Sequence, residues 1–334
     1  MQSWRKFGLV ALVFVGGCVP PYPMNILSVD PRRRPLGELG EARLWEERGG
    51  RLWLEVEAEG ESAAVGGYYA VPEGGWVPFG AGQAGAGGLR GVVLLLDGAS
   101  TYQPTGGFGQ ARYFCGTMGA YLRSLGYATW TLVLPEFKTA YGQADYAGAL
   151  RAYRWLAGDG CASLGAEQFW VLGYSTGGTL ALMLAREGDA AGVVAISGIA
   201  DPQVVLDNAR LYVFMSAPFP FNTGMSQMVH TLQHYTLKDR AAWHPLDSVG
   251  RADELRGRLL VIHGLKDRVF PAEHSLRLQA AVQRLAREAT MQADVEFLLL
   301  EPFGHGGIHL REEVRAAVAR FLAGGGSEPE GKGD

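Results

Sequence analysis

The chain has few cysteines, little net charge and no long hydrophobic run. Three cysteines among 334 residues cannot supply a dense disulfide framework, and no cysteine or histidine spacing resembles a zinc site. A net charge of −4 leaves no basic excess that would indicate a nucleic-acid partner. No run reaches the about 20 apolar residues of a membrane-spanning helix. We therefore expect no metal, no cofactor and no nucleic acid.

Glycine is abundant, with 48 residues, and glycines frame one serine. Residues 173–178 read Gly-Tyr-Ser-Thr-Gly-Gly, after the strand-like segment 169–172 and before the helix-like segment 179–185. This is the context of a nucleophile elbow, a sharp strand-to-helix turn that lifts a serine oxygen above a parallel sheet. The flanking glycines leave room for that turn. Ser175 is the predicted nucleophile. A glycine-rich turn without chemistry is the alternative.

Two further polar residues follow in the order that such a site requires. Asp267 comes after the strand-like segment 258–264 and before a helix that Pro271 opens. His305 lies between glycines, after the strand-like segment 295–301. Because each residue follows the carboxyl end of a strand, the serine, the acid and the histidine would meet at one edge of a sheet.

These motifs resemble those of the α/β-hydrolase superfamily. His-Gly-Leu-Lys-Asp at 263–267 and Gly-His-Gly-Gly at 304–307 are both similar to its motifs, and the likeness covers about residues 51–322. The resemblance, to esterases and dienelactone hydrolases, implies an α/β domain over 46–323. It also implies a mostly parallel central sheet with helices on both faces. A cap, at about 201–245, would follow the sixth core strand.

The resemblance also implies a reaction, the hydrolysis of small-molecule or lipid-like carboxylic esters. Ser175 would attack the carbonyl, His305 would move the proton, and Asp267 would stabilise the imidazolium. Asp201 is an alternative acid, because some members of the superfamily carry the acid at that position. His309, one helical turn after His305, is the rival histidine. A peptidase of the prolyl-oligopeptidase type and a non-catalytic lipid-anchored binding protein are the alternative functions.

The oxyanion formed in such a reaction needs two backbone donors. By resemblance these are the N–H groups of Thr176, directly after the nucleophile, and Ala99, in the loop after an earlier strand. The sequence departs from the superfamily here, because Asp97-Gly98 stands where His-Gly is usual. Asp97 either braces this loop or points into the site, where its charge would oppose an oxyanion.

The N-terminus carries a second signal. Two basic residues precede the short apolar stretch 7–15 and then Gly16-Gly17-Cys18, which is typical of a secretory signal. The small residues before Cys18 resemble a bacterial lipobox. They imply a lipoprotein signal peptide at 1–17, cleavage before a lipidated Cys18 and export to the cell envelope. A proline-rich tether would span 18–45 and a flexible tail 324–334. A signal peptide cleaved elsewhere is the alternative, and pairing of the other two cysteines stays open.

Overall fold

The computed structural model describes residues 34–47, 51–57, 64–73, 89–98, 111–134, 143–208 and 245–324. The predicted signal peptide, Cys18 and Ala99 lie outside these residues. Most of the predicted cap, at 209–244, and the tail from residue 325 also lie outside them. Among the described segments, no helix combines the length and apolar character that crossing a bilayer requires.

The described residues build one mixed sheet. Its strands are β1 Arg34–Leu39, β2 Ala42–Glu47, β3 Arg51–Val56, β4 Val65–Ala70, β5 Val92–Leu96, β6 Ala128–Val133, β7 Phe169–Tyr174, β8 Gly192–Ile196, β9 Gly257–Gly264 and β10 Ala293–Leu300. They lie in the order β1-β2-β3-β4-β6-β5-β7-β8-β9-β10. Strands β5 to β10 pair in parallel, and β1 to β4 join them through antiparallel pairs.

Helices connect the parallel strands. They are α1 at 111–124, which includes a π-helical turn at Cys115–Gly119, α2 Gln143–Trp155, α3 Cys161–Ser163, α4 Thr176–Leu184, α5 Pro202–Asp207, α6 Glu273–Arg287 and α7 Glu312–Leu322. Helix α7 buries Val314, Val318 and Phe321, which recur at helical spacing and form one apolar face.

The core lies on both faces of the sheet. Because successive side chains of a strand point to opposite faces, Val92 and Leu94 join one apolar cluster and Val93 and Leu95 join the other. Helices α2, α4 and α6 pack into the first cluster, and α1 and α7 pack into the second. The predicted α/β class, with a parallel core sheet between two helical layers, is confirmed. Cys115 and Cys161 are both free thiols.

The predicted boundary between tether and domain is wrong. The sequence predicts a tether that extends to residue 45, whereas the structure places residues 34–39 in β1 and residues 42–45 in β2 of the sheet. Ala42 and Leu44 alternate with exposed residues, are fully buried and pair with β3, so they belong to the core. Pro35, which suggested a tether, lies on the outermost strand, where a missing backbone N–H is tolerated. The domain therefore includes residues from Arg34 onward.

Strand order determines where a site forms. The chain passes from β5 to β6 on one side and then to β7 on the other, so β5 lies between the two. In an open parallel sheet, the crevice outside the carboxyl ends of such strands is the usual ligand site. Asp97 follows β5 and Ser175 follows β7, which brings both to this crevice.

Candidate active site

Ser175 occupies a strained turn between β7 and α4. Its φ and ψ are 58° and −119°, a backbone conformation that residues other than glycine rarely adopt. The flanking glycines permit it. A Cβ on Gly173 would lie 2.0 Å from the carbonyl oxygen of Gly177, and a Cβ on Gly177 would lie 2.0 Å from that of Leu96. The glycine frame is thus required by close backbone packing.

A chain of hydrogen bonds joins Ser175, His305 and Asp267. Asp267 Oδ2 accepts a hydrogen bond from His305 Nδ1 at 2.7 Å, and the Ser175 hydroxyl donates to His305 Nε2 at 2.8 Å. Since a carboxylate only accepts, His305 Nδ1 carries the proton and Nε2 is left to take the serine proton. Ser175 and His305 are 130 positions apart in the chain, and His305 and Asp267 are 38 positions apart. The fold therefore brings three distant residues into one relay at the carboxyl end of the sheet.

Asp267 is buried and well supplied with donors. Its Oδ1 accepts the backbone N–H groups of Val269 and Phe270 at 2.8 and 2.9 Å. Its Oδ2 lies 3.3 Å from His263 Nε2 in addition to its bond with His305. Burial raises the pKa of Asp267, but the hydrogen bonds from His263 and His305 lower it further, so the net pKa lies well below its usual range. The carboxylate is therefore ionised at neutral pH.

His263, which the sequence places within β9, lies beneath Asp267. Its Nε2 is 2.8 Å from the carbonyl oxygen of Phe270, which can only accept, so Nε2 carries the proton. In the neutral ring, Nδ1 then accepts the Ser275 hydroxyl at 2.7 Å. This fully buried histidine is held in one tautomer, and its Nε2–H donates to the Phe270 carbonyl while Asp267 Oδ2 lies 3.3 Å from the same nitrogen. Ser275 carries no sequence signal for this contact.

Tyr174, directly before the nucleophile, holds the histidine loop. Its hydroxyl donates to the backbone carbonyl of His305 at 2.7 Å, and its ring lies 5.4 Å from the imidazole. The Phe270 ring packs edge-on against the same imidazole at 5.2 Å. The sequence places Tyr174 next to the nucleophile, within the Gly-Tyr-Ser motif. It gives no sign that the hydroxyl of Tyr174 bonds to the backbone of His305, 131 positions away.

The alternative acid is occupied elsewhere. Asp201 accepts the backbone N–H of Gln203 at 2.8 Å and the guanidinium of Arg277, on α6, at 2.9 Å. Its carboxylate therefore ties α5 to α6, and the acid bonded to His305 is Asp267.

The rival histidine is also buried away from this relay. His309 is 4% exposed and packs against the Tyr174 ring with centroids 4.3 Å apart. Neither ring nitrogen has a hydrogen-bond partner among the described residues. Burial lowers the pKa of His309 to about 4, helped by the charges of Arg315 and His305, so the ring is neutral at pH 7.

The oxyanion loop is described only in part. Thr176 begins α4 directly after the nucleophile, so its amide is at the N-terminus of that helix. Gly98 packs against Ser175 so closely that a Cβ on Gly98 would lie 2.5 Å from the serine Cβ. Asp97 braces this loop, because its Oδ1 accepts the Gly98 N–H at 2.7 Å. Nowhere in the described ranges do three histidine, cysteine or acidic side chains cluster as a metal site would.

Comparison with known families agrees with this geometry. The profile of Peptidase_S9, the prolyl oligopeptidase family, matches residues 134–323, which is more than half of the chain. The chain belongs to the prolyl oligopeptidase family. The match runs from the end of β6 to α7 and so includes the elbow and the two loops that carry Asp267 and His305. Membership makes the protein a serine hydrolase of the α/β-hydrolase superfamily.

Solved structures share the fold of this prolyl oligopeptidase family member. A Pyrococcus furiosus esterase is 14% identical, with a TM-score of 0.56 over 81% of this chain and 90% of its own. Acetyl xylan esterase 1 from a Thermoanaerobacterium species is 15% identical, with a TM-score of 0.53 over 89% of each chain. Pyrococcus horikoshii acylaminoacyl peptidase is 14% identical, with a TM-score of 0.51 over 85% of this chain and 47% of the peptidase. No curated protein sequence matches significantly.

Proposed function

We propose that this protein hydrolyses carboxylic esters through Ser175, His305 and Asp267. The observation that carries the proposal is the hydrogen-bonded chain from Asp267 through His305 to the strained Ser175. A serine hydroxyl is a weak nucleophile until an adjacent base accepts its proton, and a third group must hold that base in the correct tautomer. The chain supplies each of these groups at hydrogen-bond distance.

The reaction has two halves. Ser175 Oγ attacks the ester carbonyl while His305 Nε2 takes the hydroxyl proton, and Asp267 remains ionised beside the imidazolium. The imidazolium then gives its proton to the departing alcohol, which leaves an acyl group on the serine. Water attacks this acyl-enzyme in the same way and releases the acid. The backbone N–H groups of Thr176 and Ala99 hold the oxyanion in both halves.

Peptide hydrolysis is the second candidate function. It is supported by the match to the prolyl oligopeptidase family and by the fold shared with an acylaminoacyl peptidase. The same three side chains would serve it, because an amide differs from an ester mainly in the poorer leaving group. Paired substrates with one acyl group, a p-nitrophenyl ester and a p-nitroanilide, separate the two activities. Turnover of the ester without measurable turnover of the anilide supports the first proposal, whereas measurable turnover of the anilide favours peptide hydrolysis.

A fluorophosphonate probe tests the mechanism without knowledge of the natural substrate. The probe should label the full-length chain at Ser175, and Ser175→Ala should abolish labelling and lower kcat on the ester by about 10³-fold or more. Ser163→Ala, a change at the end of α3, is the matched control and should keep both activities. Labelling that survives in Ser175→Ala would contradict the mechanism. An unlabelled wild-type chain would instead favour a non-catalytic binding protein.

We further propose that the enzyme is exported and anchored through a lipidated Cys18. The support is the sequence around residues 5–18, a basic pair, a short apolar stretch and small residues before the cysteine. Cys18→Ser should move the protein to the soluble fraction while its activity on a water-soluble ester stays the same. The intact mass of the membrane-bound form measures the modification directly. An unmodified Cys18 in that mass would refute the anchor.

A further inference from the structure

Asp97 is a buried acid that the proposed mechanism does not use. It follows β5 directly and is 6% exposed. Its Oδ1 accepts the Gly98 N–H, while its Oδ2 is buried without a hydrogen-bond partner among the described residues. Its neighbour Gly98 contacts the nucleophile, since a Cβ there would lie 3.2 Å from Ser175 Oγ. Asp97 is therefore adjacent in the chain to a residue that packs against Ser175.

Among the described residues, only the Gly98 amide donates a hydrogen bond to the Asp97 carboxyl. Continuing the alternation of β5 puts its side chain on the sheet face that α1 and α7 cover. The titratable and charged groups on the elements of that face include Arg112, Tyr113, Cys115, Tyr121 and Arg123 on α1, Tyr174 on β7, Arg258 on β9, His305 and His309 after β10, and Glu312, Glu313, Arg315 and Arg320 on α7. No ion pair within the described segments includes Asp97.

Two of the described cations near this face interact with other groups. Arg123 bonds to Thr129 and to the carbonyl of Cys115, and Arg315 stacks on the Tyr121 ring. Tyr174 stays neutral, because burial and the charge of Asp267 raise its pKa. A carboxylate with a single neutral donor is costly to bury, whereas the uncharged acid is not. Burial raises the pKa of Asp97 to about 8, even though the Gly98 hydrogen bond lowers it.

We propose that Asp97 is a positioning residue for the nucleophile. In its protonated form it holds Gly98 against Ser175, and loss of its proton inactivates the site. The proposal rests on the proposed serine mechanism. That reaction builds negative charge on the substrate oxygen close to the Gly98 loop. A second negative charge in the same water-poor region would oppose it, because charges interact strongly where the effective dielectric constant is low.

The test is the pH dependence of the rate at which a fluorophosphonate labels the full-length chain. In wild type the rate constant should fall about tenfold between pH 8 and pH 9.5, as Asp97 loses its proton. Asp97→Asn keeps a neutral acceptor for the Gly98 N–H, so it should label within about threefold of wild type at pH 7 and lose the alkaline decline. Asp97→Ala, which lacks the acceptor, should label about tenfold more slowly at every pH.

The control is Asp253→Asn, at an exposed acid in the 3-10 helix Ala252–Glu254, which should keep the wild-type profile. Circular dichroism checks that each variant is folded. If Asp97→Ala does not fold, a carboxyl carbon NMR titration of Asp97 in wild type still decides, with a midpoint near pH 8 expected. An unchanged alkaline decline in Asp97→Asn, or a carboxyl that titrates near pH 4, would overturn the inference. Failure of the serine mechanism itself would show differently, as absence of labelling at every pH.

Discussion

Asp97 and Asp267 lie at the same edge of the sheet and are equally hidden, at 6% exposure each. Their ionisation nevertheless differs. Asp267 receives backbone hydrogen bonds from Val269 and Phe270 and ring N–H contacts from His263 and His305. Within the described ranges, Asp97 receives one hydrogen bond, from Gly98. Accordingly the pKa of Asp267 is lowered, and that of Asp97 is raised to about 8.

The difference shows that donors, and not burial alone, decide the charge of an acid in this protein. Both side chains follow an apolar strand, so both lose water to a similar extent. Asp267 begins a turn whose next backbone amides point back at its carboxylate, a geometry that aspartates in turns favour. Asp97 precedes Gly98 in a segment that offers no second donor among the described residues. The position of Asp267 favours the ionised carboxylate, and the position of Asp97 favours the protonated acid.

The largest expected effect comes from removing the charge at Asp267. Asp267→Asn should lower kcat on an ester by about 10³–10⁴-fold, because the amide no longer stabilises the imidazolium or enforces the tautomer of His305. The same change at the other acid, Asp97→Asn, should alter kcat at pH 7 by less than about threefold, because a neutral group replaces a neutral group. Steady-state kinetics on both variants make the comparison. Similar losses at the two positions would show that Asp97 is charged as well.

An intermediate effect is expected on stability. The raised pKa of Asp97 means that the folded state holds a proton that the unfolded chain loses near pH 4, so this group destabilises the fold as pH rises from about 4 to about 8. The lowered pKa of Asp267 acts in the opposite sense. Its contribution is present above about pH 4 and is lost as pH falls through the folded pKa.

Urea unfolding at several pH values separates the two acids. Relative to wild type, Asp97→Asn should gain free energy of unfolding between pH 4 and pH 8, by on the order of a few kcal/mol. Below pH 4 the two proteins should differ by a constant amount, because Asp97 is then protonated in both states. A difference that does not grow over the interval from pH 4 to pH 8 would contradict the raised pKa.

The smallest effect is expected at Ser275, which reaches Asp267 only through His263. Ser275→Ala leaves the buried Nδ1 of His263 without its donor and should lower the free energy of unfolding by about 1–3 kcal/mol. The catalytic constant should fall less than about fivefold, because Phe270 still holds the proton on His263 Nε2. Ser275→Thr retains the hydroxyl and serves as the control. A large loss of kcat with unchanged stability would instead give Ser275 a direct part in the chemistry.

The sequence predicted the strands, turns and loops of the site better than the contacts that their residues make in the folded protein. The serine turn, the acid loop and the histidine loop each follow a strand whose apolar residues are adjacent in the chain, so local patterns revealed them. Local patterns also predict a tether over residues 34–45, where the prolines favour an extended chain, and this prediction is wrong. Only pairing with β3 makes that stretch part of the sheet. Tyr174 and His263 were visible as residues, but their contacts depend on loops far away in the chain.

By itself, the sequence determined the α/β class, the glycine-framed turn at Ser175 and the order in which serine, acid and histidine follow their strands. These properties depend on hydrophobic periodicity and on backbone sterics, which act over a few residues. Tertiary structure decided that His305 meets Asp267, while Arg277 binds Asp201. It also decided the charges of the two buried acids, because the donors and the loss of water that set a pKa come from whatever the fold packs around the group.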